Sequence, residues 1–318
     1  MRAAEAPLLS VVVPLYDEEA VLPLFAERVR PVLDALGESY EVVAVDDGSK
    51  DSTPVLLLKE HRSWPQLRVI RLRSNSGHQA ALSAGLSRAR GRWIATLDAD
   101  LQDPPEMIPE MLAVAQESEV DVVYGVRADR STDTLFKRWT ARVYYRMMRR
   151  LMAADIAVDA GDFRLMSRAT VDAINSLPDH RQVLRLVVPA LGFPSAEVPY
   201  RREARAAGTT KYPLSRMVRL TVDSFTGFST APLRLATWFG LGGAGLTALL
   251  LAYALIAWIS GDTIAGWAST FVAVAAVGTV QLLCVGLLGE YVGRLYTQMQ
   301  GRPSYFIAHD SLGEDPRM

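Results

Sequence analysis

The sequence predicts an α/β protein with a mostly parallel sheet, followed by amphipathic helices and two membrane-spanning helices. Apolar runs alternate with helical patterns as far as residue 125, acidic residues follow three of those runs, and two later stretches of 22 residues carry no charge. Half of the 318 residues are hydrophobic, which is enough for a sizeable core. The expected divisions are a cytoplasmic domain over 1–212, juxtamembrane helices over 213–234, a two-helix membrane domain over 235–290 and a cytoplasmic tail over 291–318.

Five apolar runs predict the strands of the sheet. The helical patterns between them have the spacing typical of parallel strands that are covered by helices on both faces. The first run, "LLSVVVPLY", is short, lacks a small-residue cleavage pattern and leads directly into "DEE", so it predicts a strand rather than a signal peptide. The other runs are "YEVVAVDDGS", "LRVIRL", "RWIATLDAD" and "VDVVYG", and the helical patterns are "EEAVLPLFAERVRPVLDAL", "TPVLLLKEHRSW", "GHQAALSAGLSRAR" and "PPEMIPEMLAVAQE".

Acidic residues mark the carboxyl ends of three predicted strands, in "YDEE", "DDGS" and "DAD". Ligands of such sheets bind at the carboxyl ends of the strands. Taken singly, "YDEE" and "DDGS" are equally well explained as helix starts and turns. Three acidic strand ends in one sheet favour a polar binding site.

Asp98 and Asp100, in "DADLQ", predict a site for a divalent cation. Carboxylates this close repel each other unless a positive charge lies between them. Their oxygens, together with that of Gln102, suit Mg2+ or Mn2+, and Mg2+ binds through few carboxylates plus substrate phosphates. Because the chain has no glycine-rich phosphate loop, the cation would stabilise a departing nucleoside diphosphate. A nucleophilic aspartate of the haloacid-dehalogenase type is disfavoured, since that motif expects Thr or Val where Gln102 stands.

Two charge-free runs, Trp238–Ile259 and Trp267–Leu288, predict membrane spans. At about 1.5 Å per residue each run forms about 33 Å of helix, enough to cross a hydrocarbon core of about 30 Å. A buried helical hairpin of a soluble domain is the alternative. The connecting "SGDTIAG" has no Lys or Arg, so both termini are expected on the cytoplasmic side with the flanking basic residues Arg216, Arg219, Arg234, Arg294 and Arg302.

Basic residues are concentrated between residues 127 and 150, which carry eight basic and two acidic side chains, a net charge of +6 in a chain of net charge -1. This imbalance indicates an anionic partner. Phospholipid headgroups or a lipid phosphate are favoured over nucleic acid, because the chain has two predicted spans and no nucleic-acid-binding module. "LSRMVRLTVDSF" predicts a basic amphipathic helix on the membrane surface, although a packing helix would show the same spacing. The single cysteine, Cys284, excludes an internal disulfide.

Four motifs carry a family resemblance. In their order and spacing, "VVVPLYDEEAVL", "VDDGSKDST", "NSGHQAALSAGL" and "LDADLQDPPE" resemble the family 2 glycosyltransferases of GT-A fold, and most closely the group of dolichol-phosphate-mannose synthases and bactoprenol glucosyltransferases. The later segments "GVRADRSTDTLFKR", "DAGDFRLMSR", "GTTKYPLSRM" and "GEYVGRLY" extend the resemblance over nearly the whole chain. It implies inverting, metal-dependent transfer of a sugar from a nucleotide sugar to polyprenyl or dolichyl phosphate at the cytoplasmic membrane face, by a homo-oligomer, as a tetramer.

The resemblance also implies a role for each position that matches a motif. Asp17 departs from the pattern, because many members carry Asn there. An aspartate of "DAGDFR", Asp159 or Asp162, would face the acceptor and take a proton or orient arginines, with a salt bridge to Arg164 or Arg168 as the alternative. The donor nucleotide would be held by Pro14, Tyr16, Glu18, Asp46 and Asp47, and the metal and diphosphate by Asp98, Asp100 and Gln102, with Asp100 also counted as catalytic. The basic residues expected to bind the acceptor phosphate are Arg127, Arg130, Lys137, Arg138, Arg142, Arg202 and Lys211.

The donor is expected to be UDP-glucose, with GDP-mannose, UDP-GlcNAc and UDP-GalNAc as alternatives. A processive polysaccharide synthase is disfavoured because "QVLRL", residues 182–186, lacks the Trp of the QxxRW pattern, and two spans offer little from which to form a polymer channel. A non-catalytic membrane scaffold or lipid carrier would have no reason to keep "DAD" and "DDGS" together. Metal-dependent hydrolysis of a nucleotide sugar would distinguish an enzyme from a scaffold.

Overall fold

The computed structural model describes residues 6–128, 160–177, 183–203, 231–260 and 267–312. The chain forms two compact units. The first consists of Met1–Thr210 together with Arg302–Met318, and the second of Lys211–Gly301. The four divisions expected from the sequence stay predictions, and the predicted amphipathic helix "LSRMVRLTVDSF" lies outside the described residues.

The first unit is built on an eight-stranded sheet with the strand order β7-β5-β6-β4-β1-β2-β3-β8. Four of its seven pairings are parallel (β1 with β2, β1 with β4, β2 with β3, β5 with β7), which confirms the predicted mostly parallel sheet. The other three, β3–β8, β4–β6 and β5–β6, are antiparallel. The strands are β1 Leu9–Leu15, β2 Tyr40–Asp46, β3 Leu67–Leu72, β4 Trp93–Thr96, β5 Val122–Arg127, β6 Ala160–Ser167, β7 Ser195–Tyr200 and β8 Ile307–Asp310.

Helices cover both faces of this sheet, as the continuous apolar strands predict. Val11 and Val13 of β1 pack with α1, α2 and α4 on one face, and Val12 packs with α3, α5 and α6 on the other. The approach of α3 is close: a Cβ added at Gly85 would lie 2.3 Å from Val12 Cγ1. The helices are α1 Leu22–Asp34, α2 Thr53–Ser63, α3 His78–Arg88, α4 Met107–Glu117, α5 Arg168–Ser176 and α6 Leu184–Ala190.

Strand β6 runs antiparallel between β4 and β5, an arrangement that the sequence analysis did not anticipate. Thr96 of β4 pairs with Arg164 of β6. Because the two strands run in opposite directions, Asp98, two residues after Thr96, and Asp162, two residues before Arg164, lie at the same edge of the sheet. The inserted strand therefore brings a second acidic residue to the carboxyl end of β4.

The sheet ends at β8, which follows the second unit in the chain and adds to the free edge of β3. The Arg68 guanidinium fixes it by donating two hydrogen bonds to the Asp310 carboxylate, at 2.8 Å and 2.6 Å. Val69 and Ser311 also exchange bonds: Val69 N–H donates to Ser311 Oγ, and Ser311 N–H to the Val69 carbonyl. From the sequence, only a cytoplasmic tail is expected here.

The second unit contains two long helices, α7 Ala231–Ile259 and α8 Trp267–Met299. Cys284 Sγ of α8 lies 3.8 Å from the Ala236 carbonyl oxygen of α7. Within the described residues one stretch, Ala276–Thr297, is long and apolar enough to cross a membrane by length and composition; its mean hydropathy is 1.4 and none of it is buried. It overlaps the second predicted span, whereas the first predicted span is not confirmed.

Candidate active site

The loop after β1 is tied to the loop after β2 through backbone groups. Asp17 adopts a positive φ of 51°. Its N–H donates to Ser49 Oγ (2.9 Å), and its Oδ1 accepts the Lys50 N–H (2.8 Å). Glu18 N–H donates to Thr53 Oγ1 (2.9 Å). Because the Lys50 contact uses an oxygen that Asp and Asn both possess, the departure from Asn at Asp17 keeps this link between the loops.

Two of the residues predicted to bind the donor nucleotide come directly before this link between the loops. Pro14 lies inside β1, opposite Val45 of β2, and is buried. Tyr16 follows the strand directly, and the charge of the neighbouring Asp17 raises the pKa of its hydroxyl. The predicted residues of the first strand end are thus adjacent to those of the second.

Asp46 and Asp47, at the end of β2, are both buried. Asp46 Oδ1 accepts the Ser49 N–H (2.9 Å). Arg71 Nε lies 3.2 Å from Asp46 Oδ2, an ion-pair distance, but Oδ2 accepts no hydrogen bond from the described residues. A buried carboxylate oxygen without such a bond is costly unless a ligand supplies the donor. This oxygen, ion-paired with Arg71 but accepting no hydrogen bond from the described residues, therefore suits a donor group of a bound molecule.

The Asp47 carboxylate is held by the start of α3. Its oxygens accept the N–H groups of Ser76 (2.7 Å) and Gly77 (2.9 Å). Burial raises the pKa of Asp47, and these two bonds offset part of that rise. Gly48, between this carboxylate and Ser49, has a φ of 69°, and an added Cβ would lie 2.7 Å from the Ser74 carbonyl carbon. This strand end is fixed by backbone groups.

The loop after β4 carries Asp98, Asp100 and Gln102. Asp100 Oδ1 accepts the Gln102 N–H at 3.2 Å, across Leu101, whose φ is 56°. Burial raises the pKa of Asp98 to about 6, and the nearby His78 opposes that rise. The Asp98 side chain is still 36% exposed, so its carboxylate is accessible to a ligand.

The loop after β4 offers the predicted cation few oxygen donors from side chains. Among the described residues no three His, Cys, Asp or Glu side chains form a group that could hold a metal ion. Two carboxylates and one amide oxygen therefore leave most of a coordination shell to water or substrate. That donor set fits Mg2+ or Mn2+ bound with a substrate phosphate, and it does not fit a closed structural zinc site.

Asp162 has four side-chain partners among the described residues. Its Oδ2 lies 3.3 Å from Gln79 Nε2, 3.4 Å from His78 Nε2 and 3.6 Å from Arg185 Nη2. Its Oδ1 accepts from Arg164 Nη2 (3.2 Å). Burial alone would raise the pKa of Asp162, but the His78 hydrogen bond and the charges of Arg164 and Arg185 lower it below its usual range. Asp162 is thus held as a carboxylate.

His78 connects Asp162 to the cation loop, because its Nε2 also lies 3.7 Å from Asp98 Oδ1. Burial lowers the pKa of His78, but the hydrogen bond to Asp162 and the charge of Asp98 raise it more. Sequence reasoning missed His78, Gln79 and Arg185 as site residues. The signal was present: His78 and Gln79 begin the helix after β3, and Arg185 belongs to "QVLRL".

Arg127 and Arg202, two of the predicted acceptor-binding residues, lie near the buried Asp103. Arg202 Nε is 4.0 Å from Asp103 Oδ1, and the Tyr200 hydroxyl donates to the same oxygen. Burial raises the pKa of Asp103, and the Tyr200 bond and the charge of Arg127 oppose that rise. The remaining predicted residues, Asp159, Arg130, Lys137, Arg138, Arg142 and Lys211, lie outside the described residues.

The segment after β7 is fastened to the cation loop. Glu203 N–H donates to the Gln102 carbonyl (2.9 Å), and Gln102 Nε2 lies 3.4 Å from the Glu203 carbonyl. The Arg28 guanidinium donates to the carboxylates of both Glu203 and Glu106, at 2.7–2.9 Å. These contacts fix one side of the loop that carries Asp98 and Asp100.

Sequence comparison finds relatives along nearly the whole chain. An uncharacterized glycosyltransferase of Bacillus subtilis is 40% identical over 97% of this chain and 96% of its own length. A prophage-derived bactoprenol glucosyl transferase of Shigella flexneri is 36% identical over 96% of this chain and 99% of its own. A prophage bactoprenol glucosyl transferase homolog of Escherichia coli is 35% identical over 94% and 98%.

The solved structures support the same fold. Glucosyl-3-phosphoglycerate synthase from Mycobacterium tuberculosis, in complex with Mn2+, UDP-glucose and phosphoglyceric acid, superposes with a TM-score of 0.53. It is 19% identical, and the match covers 69% of this chain and 78% of that chain. This likeness confirms the GT-A-like α/β fold. The family pattern of glycosyl transferase family 2 matches residues 10–174. The chain therefore belongs to glycosyl transferase family 2 and is a glycosyltransferase.

Proposed function

We propose that the protein transfers a sugar from a nucleotide sugar, UDP-glucose, to polyprenyl phosphate, with inversion at the anomeric carbon and with a divalent cation. The observation that carries the proposal is the meeting of Asp98 and Asp162 around His78 at the carboxyl edge of the sheet. A carboxylate suited to a cation and a carboxylate surrounded by cationic side chains lie side by side there. That combination suits a reaction between two phosphate-bearing substrates.

The order of the strands supports separate places for the two substrates. Along the sheet the order is β2, β1, β4, β6. Asp46 and Asp47 end β2, Asp98 follows β4, and Asp162 lies in β6. The nucleotide is assigned to the β2 end, where Asp46 Oδ2 accepts no hydrogen bond from the described residues, and the acceptor substrate to the β6 end. The scissile bond then lies between them, near Asp98.

The proposed reaction is a single in-line displacement. An oxygen of the acceptor phosphate forms a bond to the anomeric carbon, and the bond from that carbon to the diphosphate breaks with its electron pair going to the nucleoside diphosphate. When bound at Asp98, Asp100 and Gln102, Mg2+ or Mn2+ supplies positive charge to the leaving diphosphate. Asp98 and Asp100 would hold that cation through their carboxylate oxygens.

The proposed reaction does not need a strong general base. The second pKa of a phosphomonoester is about 6, so the acceptor is largely ionised at neutral pH. Asp162 is also a poor proton acceptor, because its pKa is lowered by its cationic neighbours. Of the two roles expected for this aspartate, orienting the arginines is the better supported.

The membrane side of the proposal rests on the apolar helices. Ala276–Thr297 is long and apolar enough to span a bilayer, and the sequence assigns a second span to Trp238–Ile259. Two spans with both termini in the cytoplasm would keep the active site at the inner membrane face, where a polyprenyl tail remains in the lipid. The full-length similarity to proteins named bactoprenol glucosyl transferases supports this acceptor class.

A donor panel tests the function. The full-length protein in detergent is incubated with polyprenyl phosphate, MgCl2 or MnCl2, and UDP-glucose, GDP-mannose, UDP-GlcNAc or UDP-GalNAc, and lipid products are identified by mass spectrometry. We expect a polyprenyl-phosphate hexose with UDP-glucose, of inverted configuration by NMR, and none in EDTA. A product with another donor would correct the sugar. Hydrolysis of a donor without any lipid product would contradict the acceptor.

A further inference from the structure

Arg185 is held in place from both sides through the backbone of the preceding residue. The Leu184 N–H donates to Gln79 Oε1 (3.0 Å), and the Leu184 carbonyl accepts from Arg164 Nη1 (3.0 Å). The other ends of the same two side chains bind Asp162: Gln79 Nε2 at 3.3 Å and Arg164 Nη2 at 3.2 Å. The start of α6 is therefore locked to the Asp162 carboxylate, and the position of Arg185 is defined.

The guanidinium of Arg185 keeps N–H donors that its contact with Asp162 does not occupy. Its side chain is 44% exposed, whereas the Asp162 side chain is only 11% exposed. Arg185 Nη2 lies 3.6 Å from Asp162 Oδ2, which is longer than a direct hydrogen bond. A guanidinium has five N–H donors in a planar fork that matches phosphate oxygens. Most of the Arg185 donors are therefore available to an anion in front of Asp162.

A purely structural role explains Arg185 less well. Arg164 is fully buried and already neutralises the charge of Asp162 through its hydrogen bond to Oδ1. Its guanidinium carbon also lies 5.8 Å from the centroid of the Tyr124 ring. A half-exposed ion pair such as Arg185–Asp162 contributes little to folding. The half-buried Gln79 and the fully buried Arg164 thus orient a residue whose own ion pair contributes little stability.

The location of Arg185 indicates which phosphate it can bind. It reaches the β6 side of Asp98, whereas the open Asp46 oxygen lies on the β2 side, across β1 and β4. His78 Nε2 bridges Asp162 and Asp98 at 3.4 Å and 3.7 Å, so an anion beside Arg185 lies next to the cation loop. A second phosphate, distinct from the donor diphosphate, fits this position.

We propose that Arg185 binds the phosphate of the acceptor and aims it at the anomeric carbon, and that Gln79 and Arg164 are positioning residues that hold Arg185 through Leu184. This inference rests on the proposed function. Arg185 adds to the predicted acceptor residues a cation outside the basic cluster of residues 127–150.

Steady-state kinetics of the full-length protein with UDP-glucose and polyprenyl phosphate tests the proposal. Arg185→Ala should raise the acceptor KM by about 10-fold or more, the effect of losing a charged hydrogen bond. The donor KM and the acceptor-free hydrolysis of UDP-glucose should not change. Arg30→Ala is a matched control, because Arg30 is 43% exposed and forms an ion pair of the same 3.6 Å length with Asp34; it should alter none of these values.

Two further variants keep the test sharp. Arg185→Gln keeps a polar side chain that is shorter than arginine and uncharged, and it should reproduce the Ala result if Arg185→Ala folds poorly. Gln79→Met removes both positioning bonds and should raise the acceptor KM by a smaller factor. An unchanged acceptor KM in the Arg185 variants, or a rise in the donor KM instead, would overturn the assignment while the proposed function stands. Absence of lipid product from the unmodified protein would overturn both.

Discussion

The two acidic groups at the carboxyl edge of the sheet are held by different kinds of partner. At the β2 end, Asp46 and Asp47 receive their hydrogen bonds from backbone N–H groups of Ser49, Ser76 and Gly77. At the β4 and β6 end, Asp98 and Asp162 are surrounded by side chains: His78, Gln79, Arg164 and Arg185. The β2 end of the site is therefore fixed by backbone groups, and the β4 and β6 end by side-chain contacts.

The two ends of the site should therefore respond differently to amino-acid substitutions. Backbone donors persist through most substitutions of the residues that carry them, so the β2 end is preorganised. Side-chain donors disappear when their residue changes, so the β4 and β6 end is sensitive at each of its members.

The largest effect is expected for Asp98→Asn. The substitution keeps the shape of the side chain but removes the charge that would hold the cation, so kcat should fall by about 100-fold to 1,000-fold. The measurement is the initial rate of lipid product at saturating substrates. Asp172→Asn is the control, since Asp172 is exposed and pairs only with Arg168 at 3.5 Å among the described residues. Near-normal turnover in Asp98→Asn would contradict the assigned site.

Asp47→Asn should have the next largest effect, at the backbone-held end. An amide has one acceptor oxygen where the carboxylate has two, so the N–H of Ser76 or of Gly77 would lose its partner. We expect a loss of about 2 kcal/mol in unfolding free energy, together with a higher donor KM. Denaturant unfolding in detergent measures the first quantity. Ser76→Ala is the control because it preserves the N–H donor. If Ser76→Ala were as damaging as Asp47→Asn, the backbone would not be the partner that matters.

His78→Ala tests the side-chain-held end. Removing the imidazole takes away the contact that links Asp162 to Asp98, so kcat should fall by about 10-fold. His78→Gln, which can still donate a hydrogen bond, should recover part of the rate. Unfolding free energy should change less than it does in Asp47→Asn. Equal activity of the unmodified protein and both variants would mean that the link has no role in the reaction.

The smallest effect concerns a side-chain pair at the far edge of the sheet. Burial raises the pKa of Asp310, but the hydrogen bonds from Arg68 and from the Leu312 N–H, together with the charge of Arg68, lower it below its usual value. The stabilisation is therefore complete above the unfolded pKa of about 3.9 and is lost as pH falls through the folded pKa. Unfolding free energy measured from pH 6 to pH 3 should fall by about 1 kcal/mol more in the unmodified protein than in Asp310→Asn. Parallel pH curves would exclude this contribution.

The strands and their acidic ends were predictable because both signals are local. Apolar runs such as the one that forms β1, and the aspartates that follow β2 and β4, are visible in short windows of sequence. The presence of Asp162 in the site was anticipated only through the family resemblance. Its geometry depends on the antiparallel pairing of β6 with β4, which is a long-range property.

The partners of Asp162 were missed for a related reason. His78 and Gln79 look like ordinary first-turn residues of α3, and Arg185 belongs to a pattern that was used only to disfavour a processive synthase. Their roles appear when α3, β6 and α6 are brought together at one edge. Strand β8 was missed because a four-residue strand after a long apolar helix has no pattern of its own.

Strand β8 determines how the catalytic unit can be isolated. Ile70 and Arg71 pair with Asp310 and His309, so a fragment cut after Thr210 would leave the N–H and C=O groups of the β3 edge open to pairing with other chains. Simple truncation before the apolar helices therefore invites aggregation. A helix-free version for crystallisation or inhibitor screening should rejoin residues 302–312 to the first segment through a flexible linker, so that the last strand is restored.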